Sequence, residues 1–373
     1  MASDTAQTLC LIHFDHLNQD GSWIPLTDVD WTLNYGDVLV ALSLLKQIGS
    51  PQNYKHISFG GINETKNTRG IIRGSTYLHN DFNFENANKS IDSIDGPVTI
   101  VGLGAQNPLQ DVKFLDNNDD AKSFIARLNE KSASISVRGK FTADVLERLG
   151  ANSVRITGCP SLFYTGKCPE IKVSKLLETE HRRLGVSLHT GLDRNIFCRN
   201  LNDTLNAHHK LIEYAFNKSN HVSLFEQGVR WEFTASEPSY PYEERLQATQ
   251  KMLSRLKSDL PETRVLSSMV SIRSVTEWLS KARDTDAILG FRFHGNMAAL
   301  LQGIPCYYYV YDSRITEFCD LYKLPYSNVE TLSNDPVQDI IDHDWDETNN
   351  ALKKCYSEIK SFYQENGIAN ILA

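Results

Sequence analysis

The richest chemistry in this sequence lies in GFRFHGNMAALLQGIP (290–305), where Arg292 and His294 end an apolar run just before a helix signal opening at Gly295–Asn296. Read as a strand end, that spacing puts both side chains on one side. A guanidinium fork, an imidazole and the free N–H groups of a helix start then converge, which makes a sound anion site. The plainer alternative makes Arg292 an interdomain salt bridge and His294 a hydrogen-bonded core residue. Arg138, in SVRGKFTADVLERLG (136–150), again stands at a strand end before a helix. One arginine from each of two domains, aimed across a cleft, would suit a ligand with two or three negative charges. Taken alone, an arginine placed like Arg138 is more often a helix-packing or carboxylate-pairing residue.

The remaining candidates are weaker. GLGAQ (102–106) and TGCPS (157–161) are glycine-bearing strand ends that allow close backbone approach. GLGAQN lacks the third glycine of a dinucleotide fingerprint. Asp37, after Gly36, either caps its helix or offers a carboxylate to a sugar hydroxyl. Cys159 has no histidine at a diagnostic spacing and reads as a buried thiol. His208 and His209 read as surface residues of an amphipathic helix. With no HxH, HExxH or clustered carboxylates, no metal is expected. The seven cysteines are scattered without a CxxC pair, which points to reduced thiols rather than zinc or disulfides.

Strands alternating with helices must position these residues. In the second half, LGVSL (184–188), HVSLF (221–225), RVL (264–266), AILGF (287–291) and IPCYYYVY (304–311) read as strands. Between them lie helical stretches around 203–217, 241–258, 274–284 and 295–303. Such repetition implies a parallel sheet covered by helices on both faces. The first half alternates less cleanly: NYGDVLVALSLLKQIG (34–49) opens a helix, and KHISFGG, PVTIVGLGAQ and ASISVRG read as strands. Segment 62–96, rich in Asn, Asp and Ser, reads as a long loop. The expected fold is α/β: two Rossmann-like domains facing a cleft, GT-B-like, spanning 1–170 and 180–340. A C-terminal helix within 345–373 returns to the first domain. Ligands of paired sheets of this kind lie at the carboxyl ends of the strands.

Composition narrows the classes further. The 373 residues suit two domains at roughly 150 residues each. A hydrophobic fraction of 41% with 23% charged residues describes a globular chain. The net charge of −8 argues against bulk nucleic-acid binding. No apolar run reaches transmembrane length and no export signal is readable, so a cytoplasmic location is expected.

Taken in order, these blocks resemble the polysaccharide pyruvyl transferases. The resemblance rests on N-x-G-D (Asn34, Gly36, Asp37), V-G-x-G (Val101, Gly102, Gly104), S-V-R ending at Arg138, and T-G-C-P-S (157–161). It continues through R-F-H-G with its A…GIP run, and Tyr311–Asp312 with Arg314. The usual glycine triplet after the second strand is not evident. The family resemblance implies transfer of the enolpyruvyl unit of phosphoenolpyruvate onto two hydroxyls of a glycan sugar, forming a pyruvate ketal in cell-surface or exopolysaccharide biosynthesis. By the same resemblance Arg138, Arg292, His294 and Arg314 bind the donor, His294 and Arg292 are catalytic, and Arg314 stands where members often carry lysine. Asn34, Asp37 and Gln106 are the acceptor-side candidates, in the first domain. No cofactor is expected beyond phosphoenolpyruvate itself as donor substrate. The acceptor is a glycan or lipid-linked oligosaccharide, the latter bringing the protein close to a membrane surface. The alternatives are a GT-B glycosyltransferase using a nucleotide sugar and a non-catalytic glycan-binding or scaffold protein.

Overall fold

The computed structural model describes residues 7–15, 34–51, 53–178, 182–192 and 198–373. These fall into two compact units, one within 1–23, 40–167 and 353–373, the other within 24–39 and 168–352.

The first unit carries strands β1 (Thr8–Ile12), β2 (Tyr54–Ile57), β3 (Thr68–Arg73), β4 (Thr76–Leu78), β5 (Val98–Val101), β6 (Gly104–Ala105), β7 (Ile135–Val137) and β8 (Val154–Ile156). Four of them form a parallel sheet in the order β2-β1-β3-β5, while β4–β6 and β7–β8 pair separately, also in parallel. A bridge between Leu103 and Val137 links β7 to the segment after β5.

Segment 62–96 is not a loop. It holds β3, β4 and the helix Phe84–Asp92. The strand was hidden because its aliphatic pair, Ile71 and Ile72, is flanked by arginines and a glycine. Arg73 is nevertheless buried, and its Nε donates to the His13 carbonyl at 2.8 Å. The polar residues of the helix are its cap and outer face: Asn83 accepts the Asn86 N–H at 2.9 Å, while Phe84, Ala87 and Ile91 face inward.

The second unit is built on one six-stranded sheet of β9 (Arg183–Ser187), β10 (His221–Phe225), β11 (Met269–Val270), β12 (Ala287–Gly290), β13 (Cys306–Val310) and β14 (Tyr326–Asn328). Its order is β11-β10-β9-β12-β13-β14, with every neighbouring pair parallel. β12 and β13 are buried at every residue, as strands covered on both faces require. Segment 264–266, read as a strand, lies instead in the helix Glu262–Ser268, and the strand is the adjacent Met269–Val270. Three apolar-containing residues fit either period, and Pro261 just before the helix sets the choice.

The helix Trp345–Glu365 starts in the second unit and ends in the first. In the first unit Arg155 pairs with its Glu358 at 2.9 Å and Glu365 at 3.1 Å, and the Tyr363 hydroxyl donates to Gln47 Oε1 at 2.7 Å. Parallel α/β units joined by this chain course give the GT-B-like fold that the sequence implies.

Candidate functional site

In the second unit, four adjacent parallel strands release their chains at one sheet edge. Each release carries polar side chains: His189 and Thr190 after β9, Glu226 and Gln227 after β10, Arg292 and His294 after β12, and Tyr311, Asp312 and Arg314 after β13. The segment Asn34–Asp37, which opens the helix Tyr35–Gln47, belongs to the same unit. Ligands of open parallel sheets lie beyond this carboxyl edge.

The turn holding Arg292 and His294 is tight. Arg292 is the N-cap of the helix Phe293–Leu300, so helical geometry begins at Phe293 and includes His294. The two side chains are therefore not related by strand alternation; a helix start two residues earlier than expected sets their directions. Small residues let the turn press on β9. A Cβ on Gly290 would lie 2.0 Å from Ser187 Oγ, and one on Gly295 would lie 2.6 Å from Ser187 Cβ. Asn296, fully buried, accepts from Ser187 Oγ at 2.6 Å and donates to the Tyr307 carbonyl at 2.8 Å. It thereby ties the helix to β9 and β13. Arg292 is half-buried, and its Nε donates to the Leu188 carbonyl at 3.0 Å.

His294 is 7% exposed and packs against the backbone of Gly36, where an added Cβ would fall 2.4 Å from His294 Nδ1 and 2.7 Å from Gln227 Nε2. Gln227 Nε2 donates to Asn34 Oδ1 at 2.9 Å, and the same oxygen accepts the Gly36 N–H at 3.0 Å. The Asn34 amide in turn faces Asp37 Oδ2 at 3.3 Å. Asn34 thus secures the turn that seats the imidazole, within the second unit.

Two carboxyls underlie the arginine. Glu232, fully buried, accepts from the Thr190 N–H at 2.7 Å and the Thr190 hydroxyl at 2.6 Å. Glu226, also buried, accepts the Gly228 N–H at 2.8 Å. Burial pushes the Glu226 carboxyl up to about 8, with the charge of Glu232 adding to the push. Burial also raises Glu232, against the opposing charge of Arg292. His189 is held well below the usual imidazole range by burial and by Arg292. Arg314 Nη2 bonds the Tyr311 hydroxyl at 3.0 Å and lies 3.3 Å from Asp312 Oδ2.

Sequence reasoning passed over Glu226, Gln227, Glu232, His189 and Tyr35. The polar pair Glu226–Gln227 directly after the apolar HVSLF run was a readable signal, because a strand end is where such residues face a ligand. His208, expected at the surface, is fully buried: its ring stacks on Phe291 at 3.5 Å between centroids. Its Nε2 accepts the His189 N–H at 3.2 Å, so Nδ1 donates to the Thr204 carbonyl at 2.7 Å. Burial holds this neutral ring down to about 3.

The other candidates lie in the first unit. Arg138 is buried there, with Nε donating to the Gly102 carbonyl at 2.9 Å and Nη2 to the Gly74 carbonyl at 3.2 Å. Gln106 is half-buried just after β6, and its backbone N–H donates to Leu78 at 3.0 Å. Cys159 is fully buried, as the sequence implies. Among the described residues, no group of three or more His, Cys, Asp or Glu side chains is placed to hold a metal ion, and no helix is long and apolar enough to cross a membrane.

Comparison with known proteins adds the family. No curated protein matches the chain. Among solved structures, the UDP-GlcNAc 2-epimerase of Methanocaldococcus jannaschii, in complex with UDP-GlcNAc and UDP, shares 11% identity over 94% of this chain and 92% of that one, with a TM-score of 0.46. The Anabaena protein HepE, in complex with UDP-glucose, shares 8% identity over 97% of this chain and 98% of that one, with a TM-score of 0.45. A family model, polysaccharide pyruvyl transferase, matches residues 34–313, a span that opens on the Asn34 turn and takes in Arg138, Arg292 and His294. The chain belongs to the polysaccharide pyruvyl transferase family.

Proposed function

We propose that this chain transfers the enolpyruvyl unit of phosphoenolpyruvate onto two hydroxyls of one glycan sugar, giving a pyruvate ketal and inorganic phosphate. The observation that supports it is the meeting of Arg292, Arg314 and His294 at one sheet edge. Phosphoenolpyruvate presents a carboxylate and a phosphate, and guanidinium forks suit both. Addition of the first hydroxyl to C2 releases a proton while C3 takes one up, turning the methylene into a methyl. The second hydroxyl then displaces phosphate from C2. Of the two hydroxyl protons, one ends on C3 and the other on phosphate, so no oxidant or metal is needed to balance the reaction. His294 is the proton carrier of this reading, a role contributing typically ~10²–10⁴-fold. Arg292 and Arg314 stabilise the departing phosphate.

Incubation with phosphoenolpyruvate and a panel of galactosides, glucosides and N-acetylmannosamine derivatives tests the reading. Phosphate release with a ketal-sized mass gain on one sugar is expected, and His294→Ala should keep the fold while losing most turnover. Thermal stabilisation by UDP but not by phosphoenolpyruvate, with no ketal on any sugar, would turn the assignment toward a nucleotide-sugar enzyme.

A further inference from the structure

The second unit carries a cleft of about 320 Å³ that the steps above do not use, and neither Arg292, His294 nor Arg314 lines it. One wall is the helix Leu201–Lys218. Asp203, Asn206, Lys210 and Tyr214 follow one another at helical spacing, fall on one side of that helix and line the cleft. Tyr309 of β13 lines it as well, with Val329, Glu330, Leu332 and Asn334 from the chain just after β14.

The walls are tied to one another. Before the helix, Arg199 donates to Glu330 at 2.8 and 2.9 Å. Toward the helix end, the Tyr214 hydroxyl donates to Asp335 Oδ1 at 2.5 Å and Lys218 Nζ to Asp335 Oδ2 at 2.6 Å. The Val329 N–H donates to the Val310 carbonyl at 3.1 Å, which fixes the chain after β14 against β13. The cleft is therefore formed before any ligand arrives.

Tyr309 points to a ligand. It is 3% exposed, and its ring packs on Phe291 at 5.0 Å and on Tyr307 at 5.5 Å between centroids. Among the described residues its hydroxyl has no hydrogen-bond partner. A phenol buried this deeply ordinarily finds one, and an oxygen atom held in the cleft would supply it. Asn206, Lys210 and Asn334 likewise make no side-chain hydrogen bond or ion pair among the described residues.

Charge then selects the class of ligand. Asp203 and Glu330 are matched by Lys210 and Arg199, two charges of each sign, so no excess draws an anion. A hydroxyl and two amides remain to give and accept hydrogen bonds, beside the apolar side chains of Leu211, Val329 and Leu332. That mixture suits an uncharged ring with several hydroxyls and an apolar C–H face. The volume lies at the lower end of the roughly 300–1,000 Å³ usual for small-molecule sites, room for one ring rather than a chain.

We propose that this cleft binds one uncharged sugar unit of a glycan, apart from the turn that carries Arg292 and His294, and holds the acceptor by a unit other than the one modified. The holding role rests on the glycan-acceptor reading above, whereas the sugar binding does not.

Calorimetry with the methyl glycosides of galactose and glucose and with N-acetylmannosamine tests it, on wild type, Tyr309→Phe and Asn206→Trp. At least one of these sugars should bind wild type. Tyr309→Phe keeps the ring and deletes only the hydroxyl, so that affinity should fall about threefold to tenfold, the worth of one neutral hydrogen bond. Asn206 is exposed on the helix, and a tryptophan there should fill the cleft and weaken binding more than tenfold. The melting temperature of Tyr309→Phe should not fall, because no bond within the fold is lost; a lower one would show the hydroxyl already partnered and overturn the proposal. Equal sugar binding by wild type and both variants, or none of the three sugars binding wild type, also overturns it. Loss of phosphoenolpyruvate affinity in Asn206→Trp would make the cleft an anion site and overturn the sugar class. Sugar binding that the variants weaken, in a wild type that forms no ketal from phosphoenolpyruvate, would remove the transfer reading and keep the cleft.

Discussion

Replacing Gly36 with alanine tests whether the turn at Asn34–Asp37 exists to seat His294. The new methyl carbon would stand 2.4 Å from His294 Nδ1, 2.8 Å from His294 Cγ and 2.7 Å from Gln227 Nε2. Ordinary contact is near ~3.5 Å, so about 1 Å of movement is required of the imidazole or of the helix start. Gln227 cannot yield cheaply, because it is 4% exposed and bonded to Asn34. Two terms set the stability change. Overpacking a buried site costs about 1–3 kcal/mol, while alanine in place of glycine gives back up to about 1 kcal/mol of helix propensity. The net loss is then about 0–3 kcal/mol, and most of the molecules stay folded. Catalysis should suffer more, since a 1 Å misplacement of a reacting group costs on the order of 10²-fold. Because Arg292 is not touched, the KM for phosphoenolpyruvate should hold while kcat falls. Steady-state phosphate release with an accepted sugar measures both, and a histidine-selective NMR spectrum reports displacement of His294 directly. A Gly36→Ala protein with wild-type kcat, alongside an inactive His294→Ala, would refute the seating argument.

Two further outcomes bear on Arg138 and His208. Removing Arg138 by alanine leaves the Gly102 and Gly74 carbonyls without its donors, so unfolding free energy should fall by about 2–4 kcal/mol, read by denaturant titration; an unchanged midpoint would make Arg138 a ligand residue rather than a brace. His208 is neutral when folded, at about 3 against 6.5 unfolded, so the unfolded chain binds the extra proton between those values. Stability from this ring is whole above 6.5 and is lost as pH falls toward 3, and His208→Asn should flatten that part of the stability–pH curve unless His208 is charged in the fold.

Much of the second unit was legible because its strands are uninterrupted apolar runs and its helices have clean starts. AILG and CYYYV are buried at every residue, and no polar residue breaks either run. The site was legible in part for the same reason: Arg292 and His294 are the only charged or imidazole side chains in the stretch between Ala287 and Gly303, so they stand out. What failed shares a physical cause, the burial of polar side chains whose partners are distant in sequence. His208 looks like one polar residue of an amphipathic helix until the His189 N–H, Thr204 carbonyl and Phe291 ring are placed around it. β3 looks like loop until Arg73 finds the His13 carbonyl, sixty residues away. Glu232 is an acidic residue in an acidic chain, and nothing local distinguishes it from a surface carboxylate.

That last point bears on what the strand edge can bind. Two arginines would define an anion site only if their charge were uncompensated, yet Glu226, Glu232 and Asp312 lie among them. With all three carboxyls ionised the group would carry one negative charge in excess and repel phosphate. With Glu226 neutral the charges balance, and hydrogen bonding decides. The buried side-chain atoms here that lack a partner include donor sites, Arg314 Nε and His189 Nδ1, and acceptor sites, Gln227 Oε1 and Glu232 Oε2. A neutral imidazole supplies either, and His208 shows that His189's neighbourhood keeps rings neutral. A site for an anion alone would need donors only. One that offers both suits an anion brought together with hydroxyl groups that must give up protons, the pairing a ketal-forming transferase requires. The acidity of the chain is then no obstacle to an anionic substrate, because burial pushes the Glu226 carboxyl up to about 8 and Glu232 is set against Arg292.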